Sequence, residues 1–186
     1  SARDGTCYAV ALSSGDETAA YQAGALNGIF KSTKLSSEEK QYSSVSGISG
    51  GALNAAILTN YTKGDELAAA ARMEKLWTDA SNTQLYKDWF GGIARGLFFE
   101  GGLYNSAPLE NFLKKEYSSI KPNRHLNLGI VDVVNGEYKQ FSETNITQGA
   151  NLVDAMFASL SFAGFFPPAD VLGTFWFDGS AVWDID

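Results

Sequence analysis

Residues 41–61 read QYSSVSGISGGALNAAILTNY, and this stretch decides the fold. Gln41–Ser46 reads as a short strand, and ALNAAILTNY (52–61) reads as a helix. Between them Gly47-Ile48-Ser49-Gly50-Gly51 fits G-x-S-x-G. Strand, tight turn and helix are the context that a nucleophile elbow requires. Such a turn is strained, and glycine at Gly47 and Gly51 lets the backbone fold without side-chain clash. Ser49 Oγ then stands at the carboxyl end of the strand. The start of the helix aims unpaired N–H groups at the same spot, where they favour a developing oxyanion. The plainer reading is a glycine-rich turn feeding a helix, and the strand–turn–helix context favours the elbow over it.

Working outward, Thr6–Ser13 reads as a buried strand, followed by a Ser/Gly/Asp stretch and a helix over Thr18–Lys31. Asp65–Asp79 carries Leu67, Ala70, Ala71, Leu76 and Trp77 at helical spacing. Trp89–Tyr104 reads as a loop rich in glycine and aromatics. Ser106 is the expected N-cap, and Pro108 the early proline, of the next helix. Leu126, Leu128 and Ile130 alternate on one strand face, and Asn135-Gly136 predicts a hairpin into Glu137–Ser142. Asn151–Leu160 reads as a helix, Phe162–Pro168 as a loop and Val171–Phe177 as a last strand. Strands alternating with helices predict an α/β sheet covered on both faces, and the hairpin makes that sheet mixed.

Composition narrows the function. The chain has 186 residues, 45% hydrophobic and 19% charged, which suits one globular domain. Its net charge of -7 disfavours nucleic acid and anionic lipid head groups. No apolar run is long enough to cross a bilayer. The single cysteine, Cys7, excludes an internal disulfide framework and a cysteine-cluster metal site. Sequons begin at Asn60 and Asn145. They leave localisation open between a secreted or endomembrane setting, where they would carry glycans, and a cytoplasmic or membrane-peripheral one.

A nucleophilic Ser49 needs a base. His125 is the chain's single histidine, and it sits at the amino end of a predicted strand. Sites in open α/β sheets lie at the carboxyl ends, which argues against a Ser-His-Asp triad. Asp178 closes the apolar strand and precedes Gly179-Ser180. There a carboxylate points into the crevice where Ser49 is expected, and desolvation beside Trp176 and Phe177 would raise its basicity. By itself Asp178-Gly179 reads more readily as a turn.

Taken in order, these segments resemble the patatin-like phospholipase family. The likeness rests on Ala20-Tyr21-Gln22-Ala23-Gly24-Ala25-Leu26, on Gly47–Gly51 followed by Ala52-Leu53-Asn54-Ala55, on Gly102–Leu109, on Ala155–Pro168 and on Asp178-Gly179-Ser180. The resemblance implies a three-layer α/β/α fold with a mixed, mostly parallel central sheet. It also implies a lipid acyl hydrolase with Ser49 as nucleophile and Asp178 as base, working through an acyl-enzyme on a phospholipid or other acyl-lipid substrate. Gly15 and Gly50 are the expected oxyanion donors, and no metal or organic cofactor is implied. The whole chain, 1–186, is expected to be one patatin-like domain. Because family members usually run on past this point, Asp186 reads as the end of a fragment or of a processed half.

One segment departs from the family. Where its oxyanion loop reads like G-G-G-x-[RK]-G, this chain has Ser14-Gly15-Asp16-Glu17-Thr18-Ala19. Asp16 and Glu17 put negative charge where negative charge must develop, unless Asp16 turns outward. That keeps a catalytically inactive relative, used for binding or assembly, as the alternative. The aromatics of Trp89–Ile93, Gly96–Phe99 and Phe162–Phe166 read either as core or as an acyl-chain entrance and hydrophobic membrane-surface contact.

Overall fold

The structure, a computed structural model, describes residues 6–147 and 151–185. Ser1, Asp186 and the Thr147 side chain of the second sequon lie outside the described residues. The first half contains β1 (Tyr8–Leu12), a 3-10 turn at Asp16–Ala19, α1 (Ala20–Lys31), β2 (Tyr42–Ile48), α2 (Gly50–Asn60) and α3 (Glu66–Ser81). A short α4 (Gly92–Arg95) and a π turn at Gly96–Glu100 lead into α5 (Ala107–Tyr117). Then come β3 (His125–Asp132), β4 (Tyr138–Ser142), α6 (Glu143–Thr147), α7 (Leu152–Leu160), β5 (Ala169–Val171) and β6 (Thr174–Asp178).

These strands form one 6-stranded mixed sheet in the order β1-β2-β3-β6-β5, with β4 on β3. β1, β2 and β3 are parallel; β4 and β6 run against β3, and β5 runs against β6. Four strands therefore point one way, and flanking helices complete the expected three-layer α/β/α arrangement. Helix α2 lies at the centre. Every residue from Gly50 to Thr59 is buried, so the helix has no solvent face. Its polar Asn54 is satisfied from two sides: its amide donates to Ala19 O at 2.9 Å and its Oδ1 accepts from Trp77 Nε1 at 2.8 Å. One side chain thus ties the turn before α1, and α3, to the helix that follows Ser49.

Where the structure departs from the sequence reading, local chemistry explains it. Val171–Phe177 is not one strand. Leu172 (φ 56) and Gly173 (φ 80) make a two-residue turn between the paired Val171 and Thr174, and Asp170 Oδ1 accepts from Gly173 N at 2.8 Å. Leu172 is a poor turn residue, so only Gly173 signalled the break. On α3 the core face is Glu66, Ala69, Ala70, Met73, Leu76 and Ala80, while Leu67 is 52% exposed. Glu66 turns inward because Arg124 is buried there and pairs with it at 2.8 Å. Ser106 holds the N-cap position of α5 without a capping bond; Asn105 Oδ1 accepts from Ala107 N instead. The Asn135-Gly136 turn is wider than a two-residue hairpin, since Asp132 N donates to Glu137 O and Gly136 N to Asp132 O. Trp89–Tyr104 is partly helical, through α4 and the π turn, rather than a simple loop.

Candidate active site

Strand β3 brings Ser49 and Asp178 together. Along one edge it pairs with β4 over Asn127–Val131. Its other edge must then serve both β2 and β6, because a strand has only two. β2 ends there with Ile48 opposite Gly129, and β6 arrives from the opposite direction with Asp178 opposite Ile130. The carboxyl ends of two strands thus meet head to head at adjacent β3 residues. Ser49 follows the first and Asp178 closes the second. Gly129 and Gly179 permit the junction, since a Cβ on Gly179 would lie 2.6 Å from the Gly129 backbone.

Ser49 has φ 53 and ψ -125, a strained conformation for a residue with a side chain. Its neighbours hold it. Its N–H donates to Ser159 Oγ at 3.0 Å, and Ser159 Oγ donates onward to Gly129 O at 2.8 Å. Backbone packing makes each glycine of the turn necessary. A Cβ on Gly47 would lie 2.6 Å from Gly51 O; on Gly50, 2.5 Å from Asp16 O; on Gly51, 2.3 Å from Leu12 O. The turn is therefore pressed directly against the chain that leaves β1. Gly50 opens α2, so its N–H has no partner within the helix. Gly15, at φ 153, adopts a conformation that favours glycine.

Ser49 is 2% exposed and Asp178 is 0% exposed. Asp178 Oδ1 accepts from Ser180 N at 2.8 Å, whereas Oδ2 is buried with no hydrogen-bond partner among the described residues. Asp178-Gly179 is thus not a hairpin turn; the aspartate caps the 3-10 turn at Gly179–Ala181. Burial pushes the Asp178 carboxyl up to about 6, partly offset by the Ser180 N–H and the Ser49 hydroxyl, with the charge of Asp16 pushing further upward. The Ser49 hydroxyl is thus close enough to favour the carboxylate without being aligned in a hydrogen bond to Oδ2.

Asp16 does not turn away from Ser49. It has φ 45 and its backbone lies on Gly50. Its carboxyl is raised by partial burial and then by Glu17, while the Ser49 hydroxyl lowers it. Asp16 remains exposed on its outer side, so solvent screens these effects and they carry no stability figure. The loop is anchored at Ser14, whose N–H donates to Asp184 O at 2.9 Å and whose hydroxyl also meets the Asp184 carboxylate. His125 is remote in role as well as position: it is exposed at the start of β3 and faces Glu143 at 2.6 Å. The sequence reading missed Ser159 and the Ser14–Asp184 clamp. Ser159 lies within the 155–168 segment that carried the family resemblance, which was its one signal.

A strained serine between a parallel strand and a buried helix, faced by a buried strand-end carboxyl, defines a serine-elbow protein of the three-layer α/β/α class. The sequence model of the patatin-like phospholipase family matches residues 10–184, and the chain belongs to that family. Among solved structures it resembles the crystal structure of VipD from Legionella pneumophila, with a TM-score of 0.51 and 11% identity. That match covers 94% of this chain and 46% of the VipD chain, so this chain spans less than half of VipD's length. Comparison with curated protein sequences finds no match.

Proposed function

We propose that this chain is a lipid acyl hydrolase, of phospholipase A or lysophospholipase type, that works through a Ser49–Asp178 dyad. The observation that carries the proposal is the buried, unpartnered Asp178 Oδ2 at the strand junction that also bears Ser49. A buried acceptor left unsatisfied costs roughly 1–3 kcal/mol, and a role as proton acceptor accounts for keeping it. Ser49 Oγ attacks the ester carbonyl and its proton passes to Asp178. The carbonyl electron pair moves onto oxygen, where the N–H groups of Gly50 and Gly15 receive it. Collapse expels the alcohol, which takes the proton from Asp178. Water then repeats the cycle on the acyl-enzyme and frees the fatty acid. A carboxyl with a pKa of about 6 is far closer to a useful base than an ordinary aspartate.

Family membership supports an acyl-lipid substrate. Phe90, Phe98 and Phe99, on and beside α4 and its π turn, are exposed at 94%, 79% and 83%. With a chain charge of -7, contact with a lipid surface there is hydrophobic rather than electrostatic. A second reading, a non-catalytic domain that binds or assembles, is favoured by the acidic Asp16 beside Ser49. Fatty-acid release from a panel of phospholipids, lysolipids and neutral esters separates the two. The hydrolase reading expects release that Ser49→Ala and Asp178→Asn each reduce by roughly 10⁴-fold or more in folded protein. Release that survives both changes sinks the dyad; no release from folded wild type favours the second reading.

A further inference from the structure

Ser49 is faced by two carboxyls rather than one. Asp178 reaches it from the end of β6, buried and with Oδ2 unpartnered. Asp16 lies beside it, on a loop whose backbone touches Gly50, the residue that opens α2, and its carboxyl feels the Ser49 hydroxyl. Two features hold this loop in place. Gly15 and Asp16 take successive positive φ values of 153 and 45, which turn the chain back onto the elbow. Ser14 is bonded to Asp184, which fixes the loop from the C-terminal side. The Ser49 hydroxyl acts on the Asp16 carboxyl, and an oxyanion forms one bond beyond that hydroxyl oxygen.

Resting on the hydrolase reading above, we infer that Asp16 is a further catalytic residue of this site: its neutral acid donates a hydrogen bond to the oxyanion, and its carboxylate closes the same position. When Ser49 attacks, the Oγ–carbon bond forms, the Oγ proton goes to Asp178, and the carbonyl electron pair moves onto oxygen. The Asp16 proton stays on Asp16 and is shared with that oxygen. The leaving alkoxide then takes its proton from Asp178, so Asp16 is unchanged over the cycle. The active form thus carries a proton on Asp16 and none on Asp178. It is one arrangement of a pair holding a single proton, and such a pair titrates as a unit.

The surroundings favour this pairing. The groups acting on Asp16 are Glu17 on its own turn and the Ser49 hydroxyl on the elbow; Asp16 acts in turn on Asp178 of β6, and Asp184 is held at Ser14, two residues before Asp16. No cation is among the influences on Asp16 from the described residues. Burial and Glu17 both favour its neutral form, and Asp16 in turn makes Asp178 harder to ionise. Rate is lost at high pH, when both carboxyls ionise, and at low pH, when both are neutral.

The test is kcat/KM for a soluble short-chain ester, measured from acid to mildly alkaline pH in wild type, Asp16→Asn and Asp16→Gly. Wild type is expected to give a bell with its optimum on the acid side. Asp16→Asn keeps a donor that cannot ionise, so the alkaline limb disappears and the rate at neutral pH rises by roughly a hundredfold. Asp16→Gly removes the block without supplying a donor and gains less. Turnover with superimposable profiles in wild type and both variants overturns this inference alone and leaves the dyad standing. Loss of turnover in Asp16→Asn overturns it in favour of a carboxylate that must stay charged. Absence of turnover from all three folded proteins overturns the hydrolase reading, and this inference falls with it.

Discussion

The two ends of the parallel strands treat buried charge in opposite ways. At the amino end, all three guanidinium nitrogens of Arg124 have partners. It donates to Tyr61 O at 2.8 Å, Tyr42 O at 3.1 Å, Thr62 O at 2.8 Å and Glu66 Oε1 at 2.8 Å. Glu66 Oε2 also accepts, from Gly64 N at 2.9 Å. At the carboxyl end, Asp178 keeps one oxygen unpartnered and Ser49 is strained. One end spends its polar groups on tying β2, α3 and the start of β3 together. The other leaves an oxygen without a partner among the described residues, which suits the proton-accepting role proposed for Asp178. The fold tolerates the second because glycine-on-backbone packing, rather than charge pairing, holds the elbow.

The largest expected effect comes from breaking the satisfied end. Glu66→Ala leaves the Arg124 guanidinium buried without its counter-charge and should lower unfolding free energy by about 3–5 kcal/mol in chemical denaturation. A loss below about 1 kcal/mol would mean that the backbone carbonyls alone satisfy Arg124.

At the other end a comparable change should do the reverse. The folded pKa of Asp178 is about 6, above its ordinary 3.8, so its contribution to stability is complete below the ordinary value and is lost as pH rises through about 6. Asp178→Asn removes that loss. The variant should match wild type in acid and exceed it above neutrality, by on the order of 3 kcal/mol from a shift of roughly two pKa units. A stability difference that does not vary with pH would show that Asp178 is not the strained group.

Two glycine changes sharpen the packing argument. Gly51→Ala places a Cβ 2.3 Å from Leu12 O and should cost roughly 1–3 kcal/mol, together with loss of activity as the elbow shifts. Gly24→Ala, in the middle of α1 with open space around it, should instead gain about 0.5–1 kcal/mol in thermal unfolding and leave the elbow alone. Equal effects at both positions would remove the case that backbone contact at Gly51 is special.

The elbow was legible in the sequence because it is local: strand, glycine-flanked serine and helix follow one another without a break from Tyr42 to Asn60, and their periodicities announce them. The order of elements and the central α2 were legible for the same reason. Asp178 stood out as a strand-ending carboxylate beside glycine, although the strand before it concealed a hairpin because Leu172 gives no turn signal. That Asp178 meets Ser49 at all was beyond local reading. It depends on β2 and β6 sharing one edge of β3 from opposite directions, a matter of long-range pairing. Ser159 holding the Ser49 N–H, and Asp184 holding Ser14, are likewise contacts between segments more than a hundred residues apart. The orientation of Asp16 shows the division most clearly. The sequence determined that an acid stands in this loop; only the tertiary structure decided that it lies beside the serine, because the backbone of Asp16 packs on Gly50.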